Sequence, residues 1–469
     1  MGASGPNRTY LYLVAIAANL SIFVCGTAFG WSSPVISRLK DLDASPLDHA
    51  LTTSEEGLIA SFLPLAAILG PILGGILASK IGKRLTLIIA ITPFIIAFTV
   101  FTIATKIEVF YIGRFLCGLG CGMSYVIIPT YIAEIADNEV RGSLGSYLQL
   151  FCTLGILFPY SLGPYVPLKL FNIILLCPAI ICIILFIVFL PESPYYLLHR
   201  GKDQQALHVL SKLSGKTTST SEKDLADMQD QLKQEREQTG SFALIIKTPG
   251  LRRALILSLG LVIFQQFTGI NVVFFYTQNL FTDAGVALPP EICTIIVGII
   301  QILASTLSPL FVEKSGKRRL LTISGIGSAL SVAVLAIYFY LKDVLQSDTT
   351  SISWLPIASL LAFIIAYSMG FGPLPWAFIG ELFPGNVQSL ASTIVICCYW
   401  FCCFITVNYF GWLTSLIGAC GAFGFFSGCA VFATLFVLKF IPETTGLSLQ
   451  EIQILLTSGK IRYKEWVNL

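Results

Sequence analysis

Charge is scarce along this chain: of 469 residues only 12% are Asp, Glu, Lys or Arg, and histidine occurs three times. So thin a charged complement does not fit the two or three soluble domains that this length would otherwise make. The net charge of +3 is spread out, with no block of Lys or Arg and no basic stripe interleaved with aromatics, which excludes nucleic acid as a partner. Missing too are a metal-spaced cluster, a nucleophile beside a base and a loop that could cradle phosphate, so the chain is not read as an enzyme and no metal or cofactor is expected. Gly118, Gly120 and Gly122 read as close helix packing instead.

Apolar residues fill the space that charge leaves. They make 55% of the chain, mean hydropathy is +0.80, and the long continuous runs fit helices rather than a barrel. Runs of roughly 20 residues, enough for about 30 Å of hydrocarbon, fall near 11–36, 57–79, 85–105, 108–133, 143–164 and 168–190, and again near 254–282, 292–312, 320–341, 354–380, 388–413 and 418–440. The run that begins at Leu11 is too long for a cleaved signal and is read as the first span. Thirteen cysteines lie almost entirely within these runs, and the group Cys397, Cys398, Cys402 and Cys403 sits on one uncharged helix without histidine, so they are read as reduced packing residues.

Between the two sets, residues 191–250 turn polar, and 222–238 mixes both signs without Pro or Gly, as short solvated helices do. The expected division is therefore 1–190, a linker 191–250, 251–441 and a tail 442–469. Lys80, Lys83 and Arg84 after span two, and Lys314, Lys317, Arg318 and Arg319 after span eight, predict a cytoplasmic position for these loops, the linker and both termini. The sequon at Asn7 would then stay unmodified.

The halves repeat one another. Gly82-Lys83-Arg84 is matched by Gly316-Lys317-Arg318, Glu134 by Glu381, and Pro191-Glu192 by Pro442-Glu443, in the same order and at equivalent spans. Two six-span halves related by an axis along the membrane normal are the plan of a rocking transporter whose site lies between them. An all-α polytopic membrane protein of twelve helices in two pseudo-symmetric bundles is expected.

Several stretches, taken together and in order, resemble the sugar porters of the major facilitator superfamily over essentially the whole chain. These are 75–84; Gly113-Arg114 with Pro129 to Glu134 and Arg141-Gly142; Pro191-Glu192-Ser193-Pro194; Gln265 to Asn271; Gly372 to Trp376; and Pro442 to Gly446. Trp31-Ser32-Ser33-Pro34 further resembles the insect facilitated trehalose transporter group. The resemblance implies the major facilitator fold and transport of a sugar by alternating access in the plasma membrane. It implies that Gln149, Gln265, Gln266 and Asn271 bind hydroxyls, that Trp376 packs on the sugar ring, and that Gln301 and Trp400 join them. Neutral amides over an aromatic floor suit a ligand whose hydroxyls both donate and accept. Tyr276 would help close the outer gate, and Arg84, Glu134 and Arg141 with Glu313, Arg318 and Glu381 would form cytoplasmic ion pairs that hold the halves together when the carrier faces outward. No protein partner is implied beyond membrane lipid and sugar.

Departures from the family pattern are also present. Gln388 stands where Arg is usual, Ser79 where Asp is frequent, Tyr195 where Arg follows the proline, and Ser368 and Tyr399 where many hexose carriers have Glu and Asn. Ser32 stands where proton-linked relatives carry Asp, and spans seven, eight, nine, eleven and twelve hold no Asp, Glu or His in their interiors, which favours facilitated diffusion. Proton-coupled symport and a non-transporting nutrient sensor are the alternative readings.

Overall fold

The computed structural model describes residues 8–41, 45–136, 138–215, 218–237, 242–445, 447 and 449–458; at helical positions 138, 139, 141–143, 146, 218–220, 231–237, 312–314, 385, 386, 449 and 450 it describes the backbone alone. The described residues are helical nearly throughout. A chain in hydrocarbon has no water to bond with its amides, and the helix satisfies them internally. Eleven helical segments are long and apolar enough to cross a membrane: Thr9–Leu39, Thr53–Ile81, Lys83–Ile103, Ile107–Ile135, Leu168–Val188, Pro249–Ala284, Pro290–Phe311, Lys317–Val344, Thr350–Leu382, Val387–Asn408 and Phe410–Phe440. The expected span five is the helix Asn138–Leu162, whose described apolar stretch, Tyr147–Leu162, is shorter. With it the spans number twelve, six on each side of the linker.

The packing repeats as the sequence does. In the first half span one packs on five, two on four and three on six; in the second, seven on eleven, eight on ten and nine on twelve. The halves meet where span two touches eleven, five touches eight and one touches seven. Large apolar side chains point outward, as Ile181, Ile184, Ile187 and Val188 do on span six. At the ends away from the linker, Tyr165, Trp354, Tyr409 and Trp412 are exposed, where rings with one wet and one apolar side settle at a bilayer interface.

Each half is tied at its linker end by the same knot. Gly82 and Gly316 turn the chain with φ of 91° and 80°, a conformation that strains any side chain. The turns place the next two amides on a carboxylate: Lys83 and Arg84 N–H donate to Glu192 at 2.9 and 3.3 Å, and Lys317 and Arg318 N–H donate to Glu443, each at 3.2 Å. Glu134 pairs with Lys83 at 2.6 Å and accepts from Ser193, while Glu381 pairs with Lys317 and accepts from Thr444 at 2.9 Å. Burial pushes the Glu192 carboxyl up, and the amides of Ser193, Arg84 and Lys83 draw it back.

Four helices form the linker: Pro194–His199, Asp203–Ser214, Thr218–Glu237 and Phe242–Lys247. The first three share a small apolar core of Leu197, Leu198, Ala206, Leu210 and Leu225. They lean on the first half, where the Tyr196 hydroxyl donates to Lys80 O at 3.2 Å and the Lys212 ammonium lies 4.4 Å from the Tyr10 ring centre. The tail helix Leu449–Ser458 serves the second half: Arg253 Nη1 donates to Leu456 O and Thr457 O at 2.7 and 2.9 Å, capping its C-terminus. Replacing Glu192 or Glu443 by Ala strands two helix-start amides, and each change is expected to lower stability by about 1–3 kcal/mol. Thermal unfolding of the purified protein, followed with a dye that reacts with newly exposed thiols, would show equal transitions in wild type and variant if the knots were only surface decoration.

Candidate functional site

Span seven is not one continuous helix. It breaks between Pro249–Phe267 and Ile270–Ala284, with Gly269 at φ 87°, so Gln265 and Asn271 lie on separate helical pieces. The break turns one of them back on its neighbour: Asn271 Nδ2 donates to Gln266 Oε1 across the interruption. Gln266 is fully buried, and its Nε2 is left without a partner inside the protein. The Tyr399 hydroxyl is within reach of this amide without completing a hydrogen bond of good geometry to it, and Tyr399 lies edge-on to Trp376 and to Trp400, with ring centres 5.0 and 5.1 Å away.

Gln265 is held more firmly. Its Nε2 donates to Tyr367 Oη at 3.0 Å and to the carbonyls of Phe371 and Gly372 at 2.7 and 3.2 Å, which ties span seven to the kink of span ten. The amide is thus interhelical glue through its nitrogen, and its Oε1 is a buried acceptor without a partner. Gln301 Oε1 and Trp400 Nε1 are in the same condition, both in residues 2% exposed. Two donors and two acceptors are therefore buried and unpaired among the described residues of this group. An unpaired buried polar atom carries a penalty of about 1–3 kcal/mol, and four of them fall on residues that the sequence had singled out. Gln149 is half-buried on span five, and Trp376 is half-buried beside Tyr399.

Rings continue across to the first half. Trp400 lies 5.9 Å from Phe29 and 5.8 Å from Tyr125, and Phe275 lies 6.3 Å from Phe29. Tyr276 is buried, its hydroxyl donates to Val407 O at 3.3 Å within its own half, and it lies within electrostatic reach of Glu56 and Arg114 of the other half, as its neighbour Phe275 reaches Phe29 there. Sequence reasoning overlooked Phe29, Phe275 and Tyr367, since an aromatic in an apolar run gives no signal of which side it faces.

Arg114 is the one arginine buried to 0% exposure among the described residues. Its guanidinium donates to Ile59 O at 2.9 Å and to Ala28 O, and lies 5.4 Å from the ring centres of both Trp31 and Phe275. Carbonyl oxygens and π faces, rather than a carboxylate, balance the charge.

The direct bonds between halves cluster toward the ends away from the linker. Ser33 Oγ accepts from Gln278 N–H at 3.1 Å, Asn279 Nδ2 donates to Glu56 at 2.9 Å, Ser61 donates to Asn408 Oδ1 at 2.9 Å, and Tyr160 Oη donates to Phe274 O at 2.6 Å. At the linker end, the resolved bonds of Lys83, Arg84, Glu134, Lys317, Arg318 and Glu381 stay within their own halves: Arg84 donates to Phe186 O and Ile187 O, and Arg318 to Leu438 O. The side chains of Arg141 and Glu313, expected in an ion-pair latch there, lie outside the described residues. Near this end a cavity of about 110 Å³ in the first half is lined by Asn19, Pro129, Leu144 and Leu148 among others, and Asn19 Oδ1 is a further unpaired acceptor that no motif indicated.

A family model described as Sugar (and other) transporter matches residues 18–456. The facilitated trehalose transporter Tret1 of Culex quinquefasciatus is 33% identical over 442 residues, covering 94% of this chain and 84% of that protein. The facilitated trehalose transporter Tret1-2 homolog of Drosophila simulans is 32% identical over 455 residues, covering 96% and 92%. Against the longer Tret1 of Aedes aegypti, at 32% identity and 94% coverage of this chain, the chain spans about half the relative's length, 54%. Among solved structures, the E. coli xylose transporter XylE in a partially occluded inward open conformation superposes with a TM-score of 0.78 at 25% identity, covering 94% of this chain and 100% of that one. The proton:xylose symporter XylE bound to 6-bromo-6-deoxy-D-glucose gives 0.78 at 26% identity, covering 96% and 100%.

The two adjacent glutamines should separate by experiment. Gln265→Leu removes three interhelical bonds and is expected to lower stability by about 2–3 kcal/mol, whereas Gln266→Leu removes one bond to a neighbour and leaves unfolding within about 1 kcal/mol of wild type. Equal losses in thermal unfolding would mean that both amides are structural.

Proposed function

Because the chain belongs to the sugar transporter family of the major facilitator superfamily, we propose that it carries a sugar, a hexose or trehalose, down its gradient across the plasma membrane by alternating access. The observation that carries this reading is the set of four buried unpaired polar atoms, Gln265 Oε1, Gln266 Nε2, Gln301 Oε1 and Trp400 Nε1. Hydroxyls that donate to the two oxygens and accept from the two nitrogens would satisfy all four, and the faces of Trp376 and Trp400 suit the apolar side of a pyranose ring. Asn271 orients Gln266, and Gln149 is the contribution expected from the first half. A carboxylate or ammonium substrate would need a counter-charge that this group does not hold.

The linker end, richer in Lys and Arg at its short loops, is the cytoplasmic one in this reading. With bonds between the halves gathered at the opposite end, the arrangement is then inward-facing. Tyr276 and Phe275 sit where the outer gate would close. Arg84, Glu134, Arg318 and Glu381 would exchange their present partners for pairs across the halves when the carrier turns outward, with Arg141 and Glu313 joining them.

Likeness to the proton:xylose symporter makes proton coupling the second reading. Arg114 weighs against it. A buried guanidinium whose partners are carbonyls and rings has no carboxyl beside it to load and release a proton, and Ser32 stands where such an acid would be.

Uptake of labelled glucose and trehalose into transporter-deficient cells is the test, with and without a proton uncoupler. Saturable, uncoupler-insensitive uptake that falls at least about tenfold at low sugar in Gln266→Ala is expected, as loss of one or two buried hydrogen bonds to a ligand predicts. Loss of uptake on uncoupling would reverse the choice in favour of symport, and no uptake of either sugar despite surface expression would reject the sugar reading. Introducing the acid should create the missing coupling: Ser32 is fully buried with its Oγ unpaired, and Ser32→Asp is expected to make uptake rise as external pH falls from about 8 to 5.5, a window into which burial can raise a carboxyl. A flat pH profile in that variant would show that Ser32 is not placed to exchange protons with the transport cycle.

A further inference from the structure

Beyond the ring layer, the far end carries a second, charged closure. Glu56 on span two divides its carboxylate between the halves: Oε2 meets Lys40 Nζ at 2.8 Å on its own side, and Oε1 accepts from Asn279 Nδ2 at 2.9 Å across the interface. The Glu56 side chain is 12% exposed and that of Lys40 42%, so the pair lies at the rim with the carboxylate sheltered. Lys40 is also within electrostatic reach of Asp283 on the second half. Next to Asn279, Gln278 donates its backbone N–H to Ser33, and its side-chain amide lies 3.4 Å from both Ser37 of the first half and Glu291 of the second.

The linker end is unequal to this. Gln388 follows Glu381 by the same seven residues by which Arg141 follows Glu134, and its Nε2 reaches back to Gly380 O at 3.1 Å within its own half. A neutral amide occupied locally leaves one cation fewer for any pairing between halves at that end. A charge-assisted hydrogen bond between halves shifts a two-state equilibrium by about tenfold or more, and the described end that has one is the far end.

We propose that Glu56, held by Lys40 and bonded to Asn279, is a charged clamp that closes the extracellular end and makes the inward-facing form the resting state of the empty carrier. The extracellular assignment and the kinetic consequence rest on the sugar-carrier reading. Opening the clamp separates Asn279 from Glu56 and takes Lys40 away from Asp283. Lys40 belongs to the same half as Glu56 and travels with it, so the carboxylate keeps its counter-ion and the closure is reversible.

The test needs no substrate. Hydrogen–deuterium exchange of the full-length protein in lipid nanodiscs is followed in segments 31–39 and 275–284, with 317–344 as the control. In Asn279→Ala, exchange in the two far-end segments is expected to rise about tenfold with the control unchanged; Glu56→Gln, which keeps a neutral acceptor, should fall between wild type and Asn279→Ala. Unchanged exchange at the far end, or an equal rise in the control, overturns the clamp. In proteoliposomes, Asn279→Ala should raise net uptake into sugar-free vesicles more than it raises equilibrium exchange, because the return of the empty carrier is the step the clamp holds; an equal effect on both overturns the resting-state assignment. Should no sugar move at all, the sugar-carrier reading fails while the exchange experiment still decides the clamp.

Discussion

In hydrocarbon a polar group has only the protein to bond with, and nearly every feature of this molecule answers that constraint. Backbone amides are answered by helices. Where helices must turn at the linker end, the newly exposed amides are answered by Glu192 and Glu443, which sit at equivalent places in the two halves. The buried Arg114 guanidinium is answered by two carbonyls at Nε and Nη1 and by two rings, with Nη2 left over. Other buried atoms are unanswered too, Arg114 Nη2, Ser32 Oγ and Asn19 Oδ1 among them; those of Gln265, Gln266, Gln301 and Trp400 matter because they fall on residues that the sequence had already singled out.

The same constraint gives the interior its division of labour. Gln265 and Gln266 are adjacent in the chain and chemically identical, yet one amide nitrogen is committed to span ten and the other is free. What separates them is the helix break at Gly269, which turns Asn271 back onto Gln266 and fixes which of its ends is left over. A continuous helix would have offered neither the pairing nor the free nitrogen.

Most of the architecture was legible because it follows from hydropathy and repetition. Apolar run lengths place the spans, and the recurrence of Gly-Lys-Arg, Glu and Pro-Glu foretells a two-fold plan that the span pairings repeat one for one. The candidate amides were legible because an amide among apolar residues is conspicuous. Partners were not. Lys83 and Lys317, rather than the arginines beside them, hold Glu134 and Glu381, and nothing in the spacing of adjacent Lys and Arg says which will reach a given carboxylate. Phe29 and Phe275 were invisible for the opposite reason: a ring at an interface between halves looks, in sequence, like a ring in lipid. The break in span seven was concealed by a run of residues that any helix tolerates, with Gly269 the sole hint.

The linker joins two bodies without gluing them. Helices Pro194–His199, Asp203–Ser214 and Thr218–Glu237 pack with one another and on the first half, while Phe242–Lys247 packs on spans seven and eleven of the second. The seam between bodies therefore falls inside the polar segment, after helix Thr218–Glu237, and not at the edge of either bundle. Such a connection acts as a leash: it keeps the halves at high effective concentration while leaving their relative tilt to the contacts at either face of the membrane. Severing it there would cost the molecule encounter frequency rather than fit, and two separately made halves would retain every surface they need to find one another.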